Sequence, residues 1–409
     1  MANKLKLLFV CFFIISTMFS KKLKEGPYRG VLILNEESGL ELPFNFNVIY
    51  KNKKPIIIIK NGDERIVVDE INIKGDSVNF KMPIFDTEFK TILIENNLVG
   101  LWINNYKTSK NKIKFKATFG EENRFLFSNS NNNQDFEGRW ETDFSPGLKD
   151  SSKAIGVFHH IEKTNYITGT FLTETGDYRY LEGMSHENKL SLSTFDGYHA
   201  YLFEAEFKNE KIIGDFYSGI SYHEKWIATL NTNFKLVDAE AITFLKNKDA
   251  QLNFSFPDIN KKLITLTDKK FENKPIIIQI MGTWCPNCLD ESVYFSKLYK
   301  EFNPKGLEII ALAFEKTNDF EKSRSQVLRL IKRLSIDYTI LITQQTGKEK
   351  ASEVLSALNK ISSFPTSIFL NKQHQVVKIH TGFNGPATGN EFEIYKQRTE
   401  TIIKSLFAI

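Results

Sequence analysis

The chain has 409 residues, with 54 Lys and Arg against 49 Asp and Glu, a formal net charge of +5. That balance is too mild to argue for nucleic acid as a partner, and no stripe of aromatic and basic residues suggests one. Three cysteines exclude a disulfide-dense scaffold and a four-thiolate zinc site. The length predicts two or three domains. A content of 41% hydrophobic and 25% charged residues suits a globular protein that buries a real core, and 35 phenylalanines point toward β structure.

Residues 1–20 have the layout of a signal peptide. Lys4 and Lys6 precede an apolar run from Leu7 to Met18, shorter than the roughly 20 residues that span a bilayer. Thr17 and Ser20 follow, then the polar stretch from Lys21 to Glu25. Cleavage is expected near Ser20. An uncleaved membrane anchor is the alternative, because no alanine marks the site. Cys11 lies in mid-run behind Phe9 and Val10, where a lipoprotein signal requires small residues. Removal of the leader leaves Cys285 and Cys288 as the cysteines of the exported chain.

From about residue 26 to 231 short β-patterned segments alternate with turn signals. Examples are Tyr28–Leu34, Phe44–Tyr50, Ile56–Lys60, Thr87–Ile94, Ile113–Phe119, Tyr166–Thr173, Lys189–Phe195 and Tyr198–Phe207. Asn61-Gly62, Gly75-Asp76 and Asp196-Gly197 read as hairpin turns. The pattern predicts an antiparallel sandwich or barrel. It is also duplicated. Tyr28-Arg29-Gly30 matches Phe136-Glu137-Gly138, Leu98–Trp102 matches Ile212–Phe216, and Phe115–Phe119 matches Trp226–Leu230, at offsets of 108, 114 and 111 residues. We expect β-rich repeats at 26–128 and 135–231, joined by the Asn-rich stretch Asn129–Gln134. No catalytic constellation stands out here. His159 and His160 are adjacent on a strand and point to opposite faces, and His186, His199 and His223 read as surface or satisfied residues. Tyr178, Tyr180, Tyr198 and Tyr201 read as sheet-core aromatics.

A connector at 232–250, with a short helix over Asp238–Asn247, leads to a region where strands and helices alternate. Phe254–Phe256 and Leu263–Leu266 form an opening hairpin. Pro275–Met281 is a continuous apolar strand buried on both faces. Pro286–Phe302 is a helix, Leu307–Phe314 a strand, Asp319–Leu334 a helix, Tyr338–Thr343 a strand and Lys348–Asn359 a helix. Thr366–Leu370 and Val376–His380 form a hairpin, and Glu391–Phe407 closes the chain as a helix. Residues 251–409 are therefore expected to be an α/β domain, so the whole is multidomain: a duplicated all-β region, then an α/β region.

Between the first buried strand and its helix lies Gly282-Thr283-Trp284-Cys285-Pro286-Asn287-Cys288. Cys285 stands at the helix N-terminus, where unpaired N–H groups and the helix dipole favour a thiolate, the attacking form of the thiol. Cys288 is one turn further on, close enough to pair with it. Pro286 suits the first turn, which does not need its N–H. Half of a zinc site is the alternative, but no second Cys/His pair with ligand spacing follows. A purely structural disulfide would close so small a loop that it adds little stability.

The W-C-P-x-C segment, its flanking strand and helix, and Ser363-Phe364-Pro365-Thr366 ahead of a strand resemble the thioredoxin-like proteins. The specific likeness is to the TlpA-like extracytoplasmic thiol-disulfide oxidoreductases, over about residues 251–409, and to the subgroup with an added N-terminal β-rich region. The resemblance implies that Pro365 is cis and faces the cysteines, and that Trp284, Phe364 and Thr366 rim the substrate surface. Glu291 matches an acid that these proteins often carry three residues after the second cysteine. Gln279 replaces the buried proton-relaying Asp of thioredoxins, so the relay would pass to Glu291 or water. Val293 replaces a common proline. The mechanism implied is attack of the Cys285 thiolate on a substrate disulfide, followed by attack of Cys288 on Cys285 and release of reduced substrate.

The partners implied are disulfide-bearing exported proteins and a membrane electron donor, in the periplasm or cell envelope, with no cofactor and no metal. The reducing direction is expected, as in most such relatives. The sequence around the cysteines also offers no nearby cation, the nearest being Lys297. Two other readings remain open. A peroxiredoxin-like peroxidase needs two residues between Thr and its reactive Cys, whereas only Trp284 separates Thr283 from Cys285. In the other, the β-rich half is a binding module with a subsidiary redox domain.

Overall fold

The computed structural model describes residues 22–127, 133–161 and 164–408. The leader at 1–20, and residues 129–132 of the Asn-rich joint, lie outside the described residues. Among the described residues no helix is long and apolar enough to cross a membrane.

The chain opens with nine antiparallel strands: β1 (Gly26–Asn35), β2 (Leu40–Lys51), β3 (Lys54–Asn61), β4 (Glu64–Val68), β5 (Glu70–Lys74), β6 (Ser77–Lys81), β7 (Thr87–Ile94), β8 (Asn97–Asn104) and β9 (Lys112–Phe119). The residue alternation dictates the form. In β7, Thr87, Phe89, Thr91 and Leu93 are buried while Glu88, Lys90, Ile92 and Ile94 face outward or partly so, a period of two that leaves one wet face. Each strand pairs with its chain neighbour except β4 with β5, and β1 pairs with β9. The result is a barrel-like meander open at one seam.

Nine more strands repeat the plan: β10 (Gly138–Phe144), β11 (Ser152–His160), β12 (Tyr166–Thr173), β13 (Gly176–Asp177), β14 (Leu181–His186), β15 (Lys189–Phe195), β16 (Ala200–Lys208), β17 (Lys211–Ser218) and β18 (Tyr222–Leu230). Here β10 pairs with β18 and β11 with β12, so the circuit closes. A closed sheet leaves no unpaired edge. The two-residue β13 branches off β12 and carries the segment that later meets the Cys285–Cys288 turn.

The duplication is visible in the register. Gly100 pairs with Phe115 as Gly214 pairs with Trp226, and Leu98 pairs with Ala117 as Ile212 pairs with Ala228. The match of Tyr28-Arg29-Gly30 with Phe136-Glu137-Gly138 is corrected. Tyr28 pairs with Phe119 as Trp140 pairs with Leu230, and the strands open on Gly26 and Gly138, both at positive φ. Tyr28 is thus the counterpart of Trp140. Each side chain donates a hydrogen bond to a carbonyl four residues back, Tyr28 to Lys24 and Trp140 to Phe136.

The second barrel has its own core, but Phe195, Ala200 and Leu202 join the core of the first. Phe195 stays paired with Ala200 in β15, while its ring stacks on Phe44 at 4.5 Å and against Trp102 at 5.3 Å. Arg124, fully buried, spans the joint: its guanidinium donates to Lys60 O, Ser193 O and Glu182. Both terminal nitrogens of the guanidinium have acceptors, while its Nε has none; an unpaired buried polar atom costs about 1–3 kcal/mol.

After β18 the chain changes character. The expected connector helix spans only Ala239–Ile242 (α1). Beyond it the backbone runs extended, with Leu245 bridging Leu358. Asn359 is the reason: its side chain receives Phe244 N–H and donates to Ile242 O. The helix expected at 348–359 ends at Val354, because the backbone leaves helical geometry at Leu355, so α4 is Gly347–Val354. The opening hairpin is β19 (Ser255–Pro257) with β20 (Leu263–Thr265).

The five-stranded sheet contains β21 (Ile276–Met281), β22 (Glu308–Ala313), β23 (Thr339–Ile342), β24 (Thr366–Leu370) and β25 (Val376–Thr381), in the order β23-β22-β21-β24-β25. All six residues of β21 are buried, as a central strand covered on both faces must be. Pairs β21–β22 and β22–β23 are parallel, β21–β24 and β24–β25 antiparallel. Helix α2 (Pro286–Phe302) crosses from β21 to β22, α3 (Phe320–Leu334) from β22 to β23, and α5 (Asn390–Ala408) follows β25. This is the α/β arrangement expected of a thioredoxin-like domain, with the C-terminal end of β21 delivering Gly282–Cys288 to α2.

Candidate functional site

Cys285 is the N-cap of α2, with extended backbone at the residue itself and Pro286 in the first turn. Its Sγ accepts the Cys288 N–H at 3.2 Å and, as a thiol, donates to Phe364 O at 3.4 Å. Both cysteines are free thiols; Cys285 is 7% exposed and Cys288 fully buried. Burial, then the hydrogen bond and charge of Cys285, push the Cys288 thiol well above its ordinary value. The pair is therefore unequal: an outer sulfur under helix N–H groups, and an inner one held neutral.

The Phe364-Pro365 peptide is cis and lies against the outer sulfur. Phe364 and Pro365 are buried, and the Thr366 hydroxyl donates to Ser363 O, closing the turn into β24. The Trp284 ring meets Phe364 edge-on at 5.8 Å, so Trp284, Phe364 and Pro365 form one apolar surface around Cys285.

Beneath the cysteines is a buried polar cluster. Gln279 Nε2 donates to Glu291 Oε2 at 2.8 Å; Ser367 and Tyr395 donate to Glu291 Oε1 at 2.8 and 3.0 Å. Burial lifts the Glu291 carboxyl to about 7, with these three hydrogen bonds opposing. Glu291 lies one turn beyond Cys288 on the same side of α2. The amide at Gln279 thus has the carboxyl beside it, and the buried acid sits on the helix instead of the strand.

Sequence reasoning missed a second buried acid. Glu315, just beyond β22, receives the Thr283 N–H at 2.9 Å and the Thr283 hydroxyl at 2.7 Å. Burial lifts it to about 7. Its neighbours complete a grip on the turn: Trp284 Nε1 donates to Phe314 O, and Lys316 Nζ stands 3.6 Å from the Trp284 ring. Burial lowers Lys316, while the charges of Cys285 and Glu315 support it. The expectation that no cation lies near the cysteines is therefore corrected. Lys297 is nearest in sequence, but the parallel pairing of β21 with β22 brings Lys316 alongside. A charged pair ending the apolar run Leu307–Phe314 was its only sequence signal.

Folded Glu291 and Glu315 keep a proton up to about pH 7 that the unfolded chain releases near 4.5. Between those values the folded state binds more protons, so their contribution is fully present below about 4.5 and lost as pH rises through 7. We expect the melting temperature to fall between pH 5 and 8, and Glu291→Gln to flatten part of that slope. An unchanged slope in differential scanning calorimetry would contradict the assignment.

The β half also reaches the site. Ser363 Oγ donates to Thr175 O at 2.8 Å, Asn287 Nδ2 to Asp177 O at 3.1 Å, and the Arg179 guanidinium to Pro286 O at 2.8 Å. Asp177 receives the Gly385 N–H at 2.6 Å. Tyr198, read as a core aromatic, faces Trp284 at 6.2 Å instead; burial and the Cys285 charge push it up to about 12. Tyr178 and Tyr201 do pack together within the second barrel. Tyr180 lines a cleft of ≈ 570 Å³ with Lys60, Arg65, His159 and Pro386; no residue from Trp284 to Cys288 borders it.

Comparison with known proteins adds the family. Residues 246–397 match the Redoxin family. The thiol-disulfide oxidoreductase ResA of Halalkalibacterium halodurans is 32% identical over 131 residues, covering 32% of this chain and 66% of that protein. ResA of Bacillus subtilis is 30% identical over 130 residues, covering 32% and 64%. The chain thus spans just under two thirds of the length of these relatives. Among solved structures, a thioredoxin-family thiol:disulfide interchange protein of Chlorobium tepidum aligns at TM-score 0.29 and 19% identity, over 39% of this chain and 97% of that one. The thioredoxin domain of a Bacteroides vulgatus thiol-disulfide oxidoreductase aligns at 0.28 and 19%, over 37% and 99%. Residues 246–397 thus carry a domain that matches the Redoxin family and is similar to the ResA thiol-disulfide oxidoreductases, with a β-rich region ahead of it.

Proposed function

We propose that this protein exchanges disulfides with exported proteins through Cys285 and Cys288, in the reducing direction and outside the cytoplasm. One observation carries the reading: Cys285 Sγ sits at the start of α2 with the Cys288 N–H bonded to it, while burial keeps Cys288 a neutral thiol. Cys285 attacks the substrate disulfide and forms a mixed disulfide, expelling one substrate thiolate. Cys288 loses its proton, attacks Cys285, and expels the second substrate sulfur as a thiolate, which solvent protonates; the enzyme pair ends oxidised and the substrate reduced. A membrane donor then restores the dithiol. Glu291 takes the Cys288 proton, directly or through water. Pro365, Phe364, Trp284 and Thr366 shape the surface on which the substrate chain docks.

Insulin-disulfide reduction by the purified protein, recycled with a chemical reductant, tests the activity; turnover of peroxide with no insulin reduction would favour a peroxidase. A glutathione redox titration tests the direction, which Lys316 no longer allows to be argued from a lack of cations. A strongly oxidising potential would reverse it. Glu291→Gln tests the relay: the resolving step should slow by about 10²-fold and lose its rise through pH 7. An unchanged pH profile would remove Glu291 from that role.

A further inference from the structure

We propose that the segment Thr175–Arg179 of the β half determines which disulfides reach Cys285. This rests on the reading of Cys285 as the exchanging thiol. The segment follows β12 and carries β13, and it lies on both strands of chain that form the site. Thr175 O receives the Ser363 hydroxyl beside the cis peptide, and Asp177 O receives the Asn287 amide from between the two cysteines. A substrate chain approaching the same surface meets these atoms first.

The fit is close on both sides. A Cβ on Gly176 would stand 2.4 Å from Asn287 Nδ2, and one on Gly382 would stand 2.6 Å from the Thr175 carbonyl carbon. Both glycines have φ between +79° and +140°, which admits the approach without a side chain. Backbone therefore packs on backbone at the mouth of the site.

Arg179 holds the segment there. It is buried, donates to Pro286 O, and pairs with Asp290 of α2 at 2.8 Å, with Glu64 of the first barrel and with Asp196 of the second at 3.5 Å. One guanidinium thus ties three parts of the chain together beside the cysteines. Such a pair is weak in net stability but fixes geometry, and removing one partner leaves buried charge uncompensated. With the segment in this position Cys285 is 7% exposed. Small thiol reagents reach a sulfur at that exposure; a disulfide on a folded protein does not until the segment moves aside.

The test compares alkylation of Cys285 in the full-length protein by iodoacetamide and by a bulky maleimide-polyethylene glycol, each normalised to a free cysteine peptide. In the wild type the bulky reagent should be slower by about 10²-fold, a penalty set by the population of the open state. Gly176→Ala and Asp290→Asn should each recover about tenfold of that deficit and leave the iodoacetamide rate within about twofold. Equal normalised rates in the wild type would overturn the proposal, as would variants with unchanged ratios. A variant labelled on both cysteines has unfolded, and the wild-type ratio then decides. Labelling needs no disulfide turnover. Lack of insulin reduction with an intact ratio would count against the proposed function and leave the gate standing.

Discussion

Replacing Cys285 with serine should abolish disulfide exchange, lowering turnover of insulin disulfides by at least about 10³-fold. The reason is chemical. In the proposed exchange the attacking species is a thiolate at the start of α2, whereas a serine hydroxyl at the same place is a poor nucleophile toward sulfur. Cys288→Ser should differ in kind. It leaves Cys285 at the helix start, so the first attack persists and the mixed disulfide accumulates. Stopped-flow alkylation and product mass separate the two. Residual turnover in Cys285→Ser near the wild-type level would mean that the inner sulfur attacks, against its burial and its raised pKa.

The largest stability effect is expected at Arg124, far from the cysteines. Its guanidinium is fully buried and joins the barrels through Lys60 O, Ser193 O and Glu182. Arg124→Ala leaves those acceptors and the Glu182 charge without their donor, so a loss of about 3–5 kcal/mol is expected. Arg124→Lys should lose nearly as much, because a single ammonium cannot reproduce the fork. Urea unfolding followed by far-ultraviolet circular dichroism reads the effect. A midpoint within error of the wild type would show that the joint rests on Phe195 and its aromatic neighbours alone.

Much of the redox half was legible because local pattern and global position agree. Pro275–Met281 is apolar but for Gln279 because a central strand is buried on both faces, and the W-C-P-x-C turn needs only its own residues to place Cys285 on α2. Glu291 was legible only through the family resemblance, as the acid three residues after the second cysteine. The barrels were legible as strand runs and as a duplication, since alternation and Gly turns are local. The pairing of first strand with last was not, because β1–β9 and β10–β18 join residues more than 80 positions apart. The four-residue error at Tyr28 has the same origin: Gly30 and Gly138 look alike in sequence, while the strand pairing equates Gly26 with Gly138. Glu315, Lys316, Arg179 and Tyr198 stayed hidden for a related reason. Each enters the site by tertiary packing, from a strand end or a turn whose own sequence carries no mark of the cysteines. Arg179 in particular has meaning only beside Asp290, Glu64 and Asp196, which three separate segments supply.

The most direct test of the central claim is a trapping experiment on Cys288→Ser with a disulfide-bearing protein substrate, analysed by mass spectrometry after acid quench. The account predicts a mixed disulfide whose tryptic peptide links the substrate to Cys285, absent from the Cys285→Ser protein. A substrate adduct in Cys285→Ser, or none at Cys285 in Cys288→Ser, would contradict it.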